Sequence, residues 1–300
     1  LSFGRLAYRV FEEVGQDARV VLDDEGKNLV LRKIAGECEK DLKVFKGNLK
    51  KQGYISEVKS VLSEFAQYGV DFERLDDFMK EVPPESYLHY KLDDIRTIYE
   101  KFEEYLSEKY ITKEEMLDVL SDAVPYSDIL KGSVVAMDGF TGFTPVQNRL
   151  IGELFSVCEK VMITVTMDGR ENPYVYEHPY QIFALGKQMV TSLMKIAGEK
   201  KTEIEEPICL FERPVYRFRD CSEMAFLETE LFRYSGAKYN GSCESVSLHE
   251  VRSPGKEAKY VAESIRRLVR TKGYRYRDIA VIASDMNVYA DVWEKACASF

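Results

Sequence analysis

Apolar residues recur at helical spacing through roughly the first 130 positions. Ser2 is placed to cap a helix that carries Leu6, Val10 and Phe11 on one face. Val58, Val61, Leu62, Phe65 and Tyr68 form the next amphipathic stretch, closed by Gly69. Pro83-Pro84 breaks the chain, and 92–110 then reads as a long helix with Ile95, Ile98, Tyr99, Phe102 and Leu106 inward. Thr112 and Glu115 have capping-box spacing ahead of Met116, Leu117 and Leu120. At 131 the period changes. Ser133-Val134-Val135-Ala136-Met137 is a short apolar run, as expected of a strand buried on both faces of a parallel sheet, and Asp138 ends it. Thr144, Pro145 and Gln147 suit N-cap, N1 and N3 of a helix whose apolar face is Leu150, Ile151, Leu154 and Phe155. A second strand is expected at 160–167, which completes a β-α-β unit. Beyond it the signal is mixed, with helices expected at 181–196 and 223–234 and a polar, glycine-containing linker at 236–245. A strand at 247–251, a helix at 257–271 ended by Gly273, a strand at 278–283 and a helix from 289 predict a second such unit.

Composition narrows this picture only a little. The 45% hydrophobic and 31% charged fractions are those of an ordinary globular protein. No apolar run nears the roughly 20 residues of a membrane span, and no signal peptide is visible. The chain opens at Leu1 without Met and stops just after a helical pattern, so both ends read as cuts in a longer protein. A net charge of −9 argues against a domain that grips duplex backbone over its whole surface, but not against a local basic groove. Lys40, Lys43, Lys46, Lys50 and Lys51 make one basic stretch, for which a solvated helix face is the plainer reading. The six cysteines (Cys38, Cys158, Cys209, Cys221, Cys243, Cys297) show no C-x-x-C spacing, which speaks for reduced cytosolic thiols over zinc or iron–sulfur ligands. His89, His178 and His249 are isolated and read as structural.

Two constellations can carry chemistry. Asp138 stands at the carboxyl end of the first strand, where open α/β sheets bind ligands. In a nucleotide hydrolase such an Asp holds Mg²⁺ and the next residue is usually Glu. Here it is Gly139, and a purely structural turn is the competing reading. The phosphate loop G-x-x-x-x-G-K-S/T is absent, and Gly255-Lys256 does not replace it. Phe3, Arg5 and Tyr8 form the second group. Arg5 and Tyr8 share a helix face, and with Phe140 and Phe143 they can offer a platform for unpaired bases; core packing for the phenylalanines is the alternative.

The segments carrying these groups resemble a known family. Ser2-Phe3-Gly4-Arg5-Leu6-Ala7-Tyr8-Arg9-Val10 is similar to the S-F-x-R-L-A-W/Y-R-V stretch of the AddB/RexB components of bacterial AddAB helicase–nucleases, which process double-strand breaks for recombination. Residues 137–145, with Asp138-Gly139-Phe140 and Phe143-Thr144-Pro145, resemble the family's D-G-F-x-x-F-T-P motif. Residues 257–283, with Lys272-Gly273-Tyr274-Arg275-Tyr276, resemble its K-G-Y-R-Y-x-D region.

The resemblance implies an α/β fold with a RecA-like parallel sheet of the superfamily 1 helicase type. Residues 1–130 would be mainly a helical insertion with the end of an early segment of the first domain. Residues 131–235 would be the rest of that domain, and 246–300 the start of a second. It implies a cytoplasmic bacterial protein with an AddA-type helicase–nuclease partner and single- and double-stranded DNA as ligands. ATP, Mg²⁺ and an iron–sulfur cluster would belong to the parent protein, none of them to this piece. It also implies a degenerate motor: Gly139 replaces the water-activating Glu, residues 165–168 lack the Gln of active relatives, and Ser284 stands where they carry Arg. Gln147 belongs to the motif that follows the Asp. By motif position Phe3, Arg5, Tyr8 and Phe140 match a surface that scans single-stranded DNA for a short regulatory sequence, Chi; Tyr8 stands where Trp is common. No catalytic residue is expected here, and this piece alone is expected neither to hydrolyse ATP nor to cut DNA. The competing expectations are a scaffold for the AddA-type partner and an active superfamily 1 ATPase whose phosphate loop lies upstream.

Overall fold

The computed structural model describes residues 1–15, 20–49, 51–107 and 109–298, apart from the side chain of Gln52. They form two compact units, residues 1–209 and residues 210 onward. The fold is mixed α/β and mostly helical, with small parallel sheets.

In the first unit α1 (Phe3–Val14) is capped by Ser2, whose Oγ accepts from the amide of Arg5, and is ended by Gly15 at φ 69°. β1 (Val20–Leu22) follows. The chain then leaves through α2 (Asp24–Glu37), α3 (Gln52–Tyr68), α4 (Phe72–Glu81) and α5 (Tyr87–Leu106). It returns as β2 (Tyr110–Thr112), which pairs in parallel with β1 in the register Val20 to Tyr110. Among the described residues, then, four helices are inserted between two neighbouring strands. Their core includes Leu31, Ile34, Ile55, Leu75, Ile98, Phe102 and Leu106. The predicted helix at 92–110 starts earlier, behind the Ser86 cap, and ends at Leu106, because Tyr110 already belongs to β2. Helical periodicity over the first 130 residues therefore conceals two short strands.

The remainder of the unit is a second layer. α6 (Glu115–Ala123) begins where Thr112 and Glu115 exchange side-chain-to-amide bonds at 2.7 and 3.2 Å, the predicted capping box. β3 (Val134–Met137), α7 (Pro145–Val157) and β4 (Lys160–Ile163) form the predicted β-α-β unit, with β3 and β4 parallel. Thr144 and Gln147 cap α7 reciprocally at 3.4 and 2.9 Å. The core beneath is aliphatic, with Val10, Leu120, Leu150, Ile151 and Leu154 buried. One expectation is corrected. β3 is covered on one face only: Val135 and Met137 face the core, whereas Val134 is 56% exposed and Ala136 and Met162 are also open. An apolar run alone cannot distinguish one covered face from two. β4 stops at Ile163, short of 167, and α8 (Ala184–Lys200) closes the unit.

The second unit contains α9 (Ser222–Glu230), α10 (Pro254–Lys272) and α11 (Met286–Ala298) among its described residues. Ala258 and Ala262 of α10 pack on Val292, Trp293 and Ala296 of α11. The strands expected at 247–251 and 278–283 pair with nothing among the described residues, and Leu248 and Ile282 are 99% and 93% exposed. Both segments have strand composition but no ladder to join, and an unpaired strand has no hydrogen bonds to define it.

Candidate nucleic-acid interface

The cap on Ser2 starts α1 so that Phe3 turns toward the aliphatic core while Arg5 and Tyr8 face solvent. Against the same core β3 ends at Met137. Asp138 follows, exposed, and accepts a hydrogen bond from the Thr164 hydroxyl; the Thr164 amide donates to the Met137 carbonyl at 2.9 Å. The loop after β3 is therefore tied to the end of β4. Gly139 has φ 80°, and a Cβ there would meet nothing within 4 Å. The backbone, not the space, demands glycine.

This turn drops Phe140 onto Phe3, with ring centroids 5.8 Å apart, and Phe143 onto Phe140 at 5.0 Å. Both pairs are tilted, at 47° and 36°, in the separation range at which aromatic rings attract. The three rings are half-buried: each leans on the core and keeps one part in solvent. The same rings thus pack against the core and remain partly accessible. Arg5 is exposed on the same helix. Tyr8, 57% exposed, stands outside the row, with no ring contact to it among the described residues.

Gln147 serves as a helix cap, its side chain accepting from the amide of Thr144. The row opens at Phe143 onto a groove of about 500 Å³, walled also by Tyr68 of α3, Asn148 of α7, and Leu185 and Gln188 of α8. Sequence reasoning missed these walls. They come from three helices whose periodicity reports only which face is buried, not which residues meet.

Other candidates disperse. The basic stretch is not a helix face but a run of turns between α2 and α3. Lys43 pairs with Asp93 at 3.0 Å and sits over the Tyr90 ring, Lys51 lies over Tyr54, and Lys50 lies outside the described residues. The reason is Asp94, buried on α5, which accepts from the amides of Lys43, Val44 and Phe45 at 2.7–2.8 Å and holds the turn in place. His178 stacks on Tyr180, and His249 bonds to Tyr260. Cys38 is buried and Cys158 half-buried, and burial pushes both thiols up.

Asp138 has one oxygen taken by Thr164. Among the described residues no three carboxylate, imidazole or thiol groups gather to hold a metal ion or a cluster. No helix among them is long and apolar enough to cross a membrane.

A β-α-β layer with a helical insertion between two neighbouring strands defines the class: a mixed α/β protein, mostly helical, with small parallel sheets. Comparison places it further. The family model described as "ADDB, N-terminal" matches residues 1–228, and the chain belongs to that family. It is 38% identical over 296 residues to the B subunit of the ATP-dependent helicase/deoxyribonuclease of Lachnoclostridium phytofermentans, covering 97% of this chain and 26% of that protein. The proteins of the same name from Thermoanaerobacter sp. strain X514 and Clostridium acetobutylicum are 36% and 32% identical, each over 96% of this chain and 25% of their own length. The chain thus spans about a quarter of the curated relatives it matches.

Proposed function

We propose that this chain is the helicase-like region of the B subunit of a helicase/deoxyribonuclease, working beside an AddA-type partner in the cytoplasm, and that it holds and scans single-stranded DNA instead of driving a motor. In this reading residues 1–130 are mainly the helical insertion, 131–235 complete a RecA-like domain and 246–300 open a second. The observation that carries it is the row Phe3–Phe140–Phe143, assembled from two segments far apart in the chain, with Arg5 and Tyr8 exposed on the same helix as Phe3. Stacking on such rings is worth about 1–3 kcal/mol per base and tolerates any sequence, while a guanidinium adds charge and directed hydrogen bonds. Gly139 supports the loss of the motor. A carboxylate side chain there would need an L-residue in the left-handed region, so the turn that brings Phe140 onto Phe3 disfavours the usual water-activating Glu.

The test is a fluorescence titration of the full-length protein with its partner, using strands with and without Chi. Phe3→Ala and Arg5→Ala are expected to weaken the response to Chi-bearing strands by about tenfold each. A wild-type response from both variants refutes the reading surface.

A further inference from the structure

The chain is acidic overall, yet one helix and the segment after it carry a local excess of positive charge. Residues 252–277 hold nine Lys or Arg and two Glu, in a chain of net charge −9. Lys256, Lys259, Arg266, Arg267 and Arg270 recur along α10 at intervals that put them on a single face, and Glu263 is the one acid among them. Ala258 and Ala262 hold the opposite side of the helix against α11, and Glu257 is occupied by the Tyr289 hydroxyl at 2.6 Å. Lys256, Lys259, Arg267 and Arg270 are exposed. Lys259 reaches Glu263 only at 3.9 Å. At its carboxyl end the stripe runs into Gly273 and the segment Tyr274-Arg275-Tyr276-Arg277, where both tyrosines are exposed.

We propose that this stripe is a second DNA contact, which holds the phosphate backbone of a single strand without reading its sequence, with Tyr274 and Tyr276 stacking bases at its end. From Lys256 to Arg270 the face is roughly 21 Å long, enough to follow several phosphates. Lys and Arg are rarely buried unless paired, so an apolar surface cannot cover this face: it meets either water or an anionic partner. Interleaved aromatics favour a single strand over an acidic protein surface, because a strand offers both phosphates and ring faces. The stripe lies beyond the residues matched by the family model and in the other compact unit from the Phe3–Phe140 row. It contributes charge where the row contributes stacking.

That difference gives the test. In the full-length protein with its partner, the affinity for an oligo-dT strand is measured from low to high salt, for wild type and for Lys256→Gln/Lys259→Gln/Arg267→Gln/Arg270→Gln. Each phosphate contact contributes about 0.7 to the slope of log affinity against log salt, so the variant's slope is expected to be shallower by roughly 2 to 3. Its low-salt affinity should fall about tenfold or more. Tyr274→Ala/Tyr276→Ala should lower affinity with the slope kept, and the charge-conserving Lys256→Arg/Lys259→Arg/Arg267→Lys/Arg270→Lys should keep both. An unchanged slope in the Gln variant overturns the proposal. So does a variant that keeps the slope but no longer assembles with its partner, which would assign the stripe to a protein face. The Phe3→Ala and Arg5→Ala response to Chi is read at constant salt, so either idea can fail without the other.

Discussion

The helical insertion and the strand layer beside it are both built on aliphatic cores, yet they fix their geometry by different means. Around α1, α6, α7 and β3 the buried polar groups among the described residues are hydroxyls, Ser121 and Ser127, and this layer buries charge only at its α8 edge, as Asp168 beside Arg170 and Lys187 beside Glu171. Position is set by caps, by the turn at Gly139 and by exposed Glu13 of α1, which accepts from the Ser127 hydroxyl and the Ile129 amide. The insertion instead buries charge. Asp94 holds three consecutive amides, and Lys27 reaches Glu114 at 2.7 Å and the Ser63 hydroxyl at 3.2 Å, tying α2 to α3 and to the start of α6. Helices packed through apolar faces can slide by small steps at little cost. A buried carboxylate with three donors is satisfied in one arrangement only, so charge supplies the specificity that four inserted helices lack.

The sharpest way to break this contrast is Asp94→Ala. It leaves three buried or half-buried amides without an acceptor, and a loss of about 3–5 kcal/mol in urea denaturation is expected. Asp94→Asn, which keeps one acceptor oxygen, should lose less. If Asp94→Ala costs no more than an exposed substitution, the insertion is not pinned by charge. On the strand-layer side the corresponding position is Gly139. Gly139→Glu forces an L-residue into φ 80° and should cost about 1–2 kcal/mol. Because open space surrounds the Cβ position, Gly139→Asn, which tolerates that region, should recover most of the loss. Equal losses for Glu and Asn would mean that the backbone conformation is not what the position selects.

Much of this was legible in the sequence, and the reasons for the rest are local. The cap residues Ser2 and Thr144/Gln147 announced two helix starts correctly, because a cap is encoded within four residues, whereas Thr112 and Glu115 exchange their bonds at the end of β2 while the N-cap position of α6 is Glu114. β1 and β2 were missed because three residues are too few to show alternation, and because each exists only through the other, across the whole insertion. The same dependence misled in the opposite direction at 247–251 and 278–283, where strand-like composition meets no partner strand among the described residues. Phe3 and Phe140 were named from their aromatic chemistry and then matched by motif position, and their meeting is a tertiary fact. Tyr68 and Gln188 on the groove, and the work of Asp94, left no local signal.

The insertion and the strand layer meet at a carboxyl pair, which provides the mildest test. Burial, reinforced by the Glu115 carboxylate beside it, pushes Glu103 of α5 up to about 7, and burial also raises Tyr99 to about 12. Glu115 is meanwhile bound to the Thr112 amide in the cap of α6. The sign follows from proton counts. Between about pH 4.5 and 7 the native protein keeps a proton on Glu103 that the unfolded chain has released, so stability falls as pH rises through this window and is level above it. A shift of this size corresponds to about 3 kcal/mol at most, and solvent screening of a partly open side chain reduces it to roughly 1. Carboxylates held low by exposed partners, such as Asp76 beside Arg96 and Asp128 beside Lys131, lose their contribution as pH falls, below this window. Glu103→Gln keeps a donor for Glu115 and removes the titration. Its urea midpoint should be flat from pH 5 to 7.5 and exceed wild type at the upper end. Glu115→Gln also disturbs the cap on Thr112, so its loss should appear at every pH. A Glu103→Gln variant that retains the wild-type slope would show that the two regions do not share a proton at their junction.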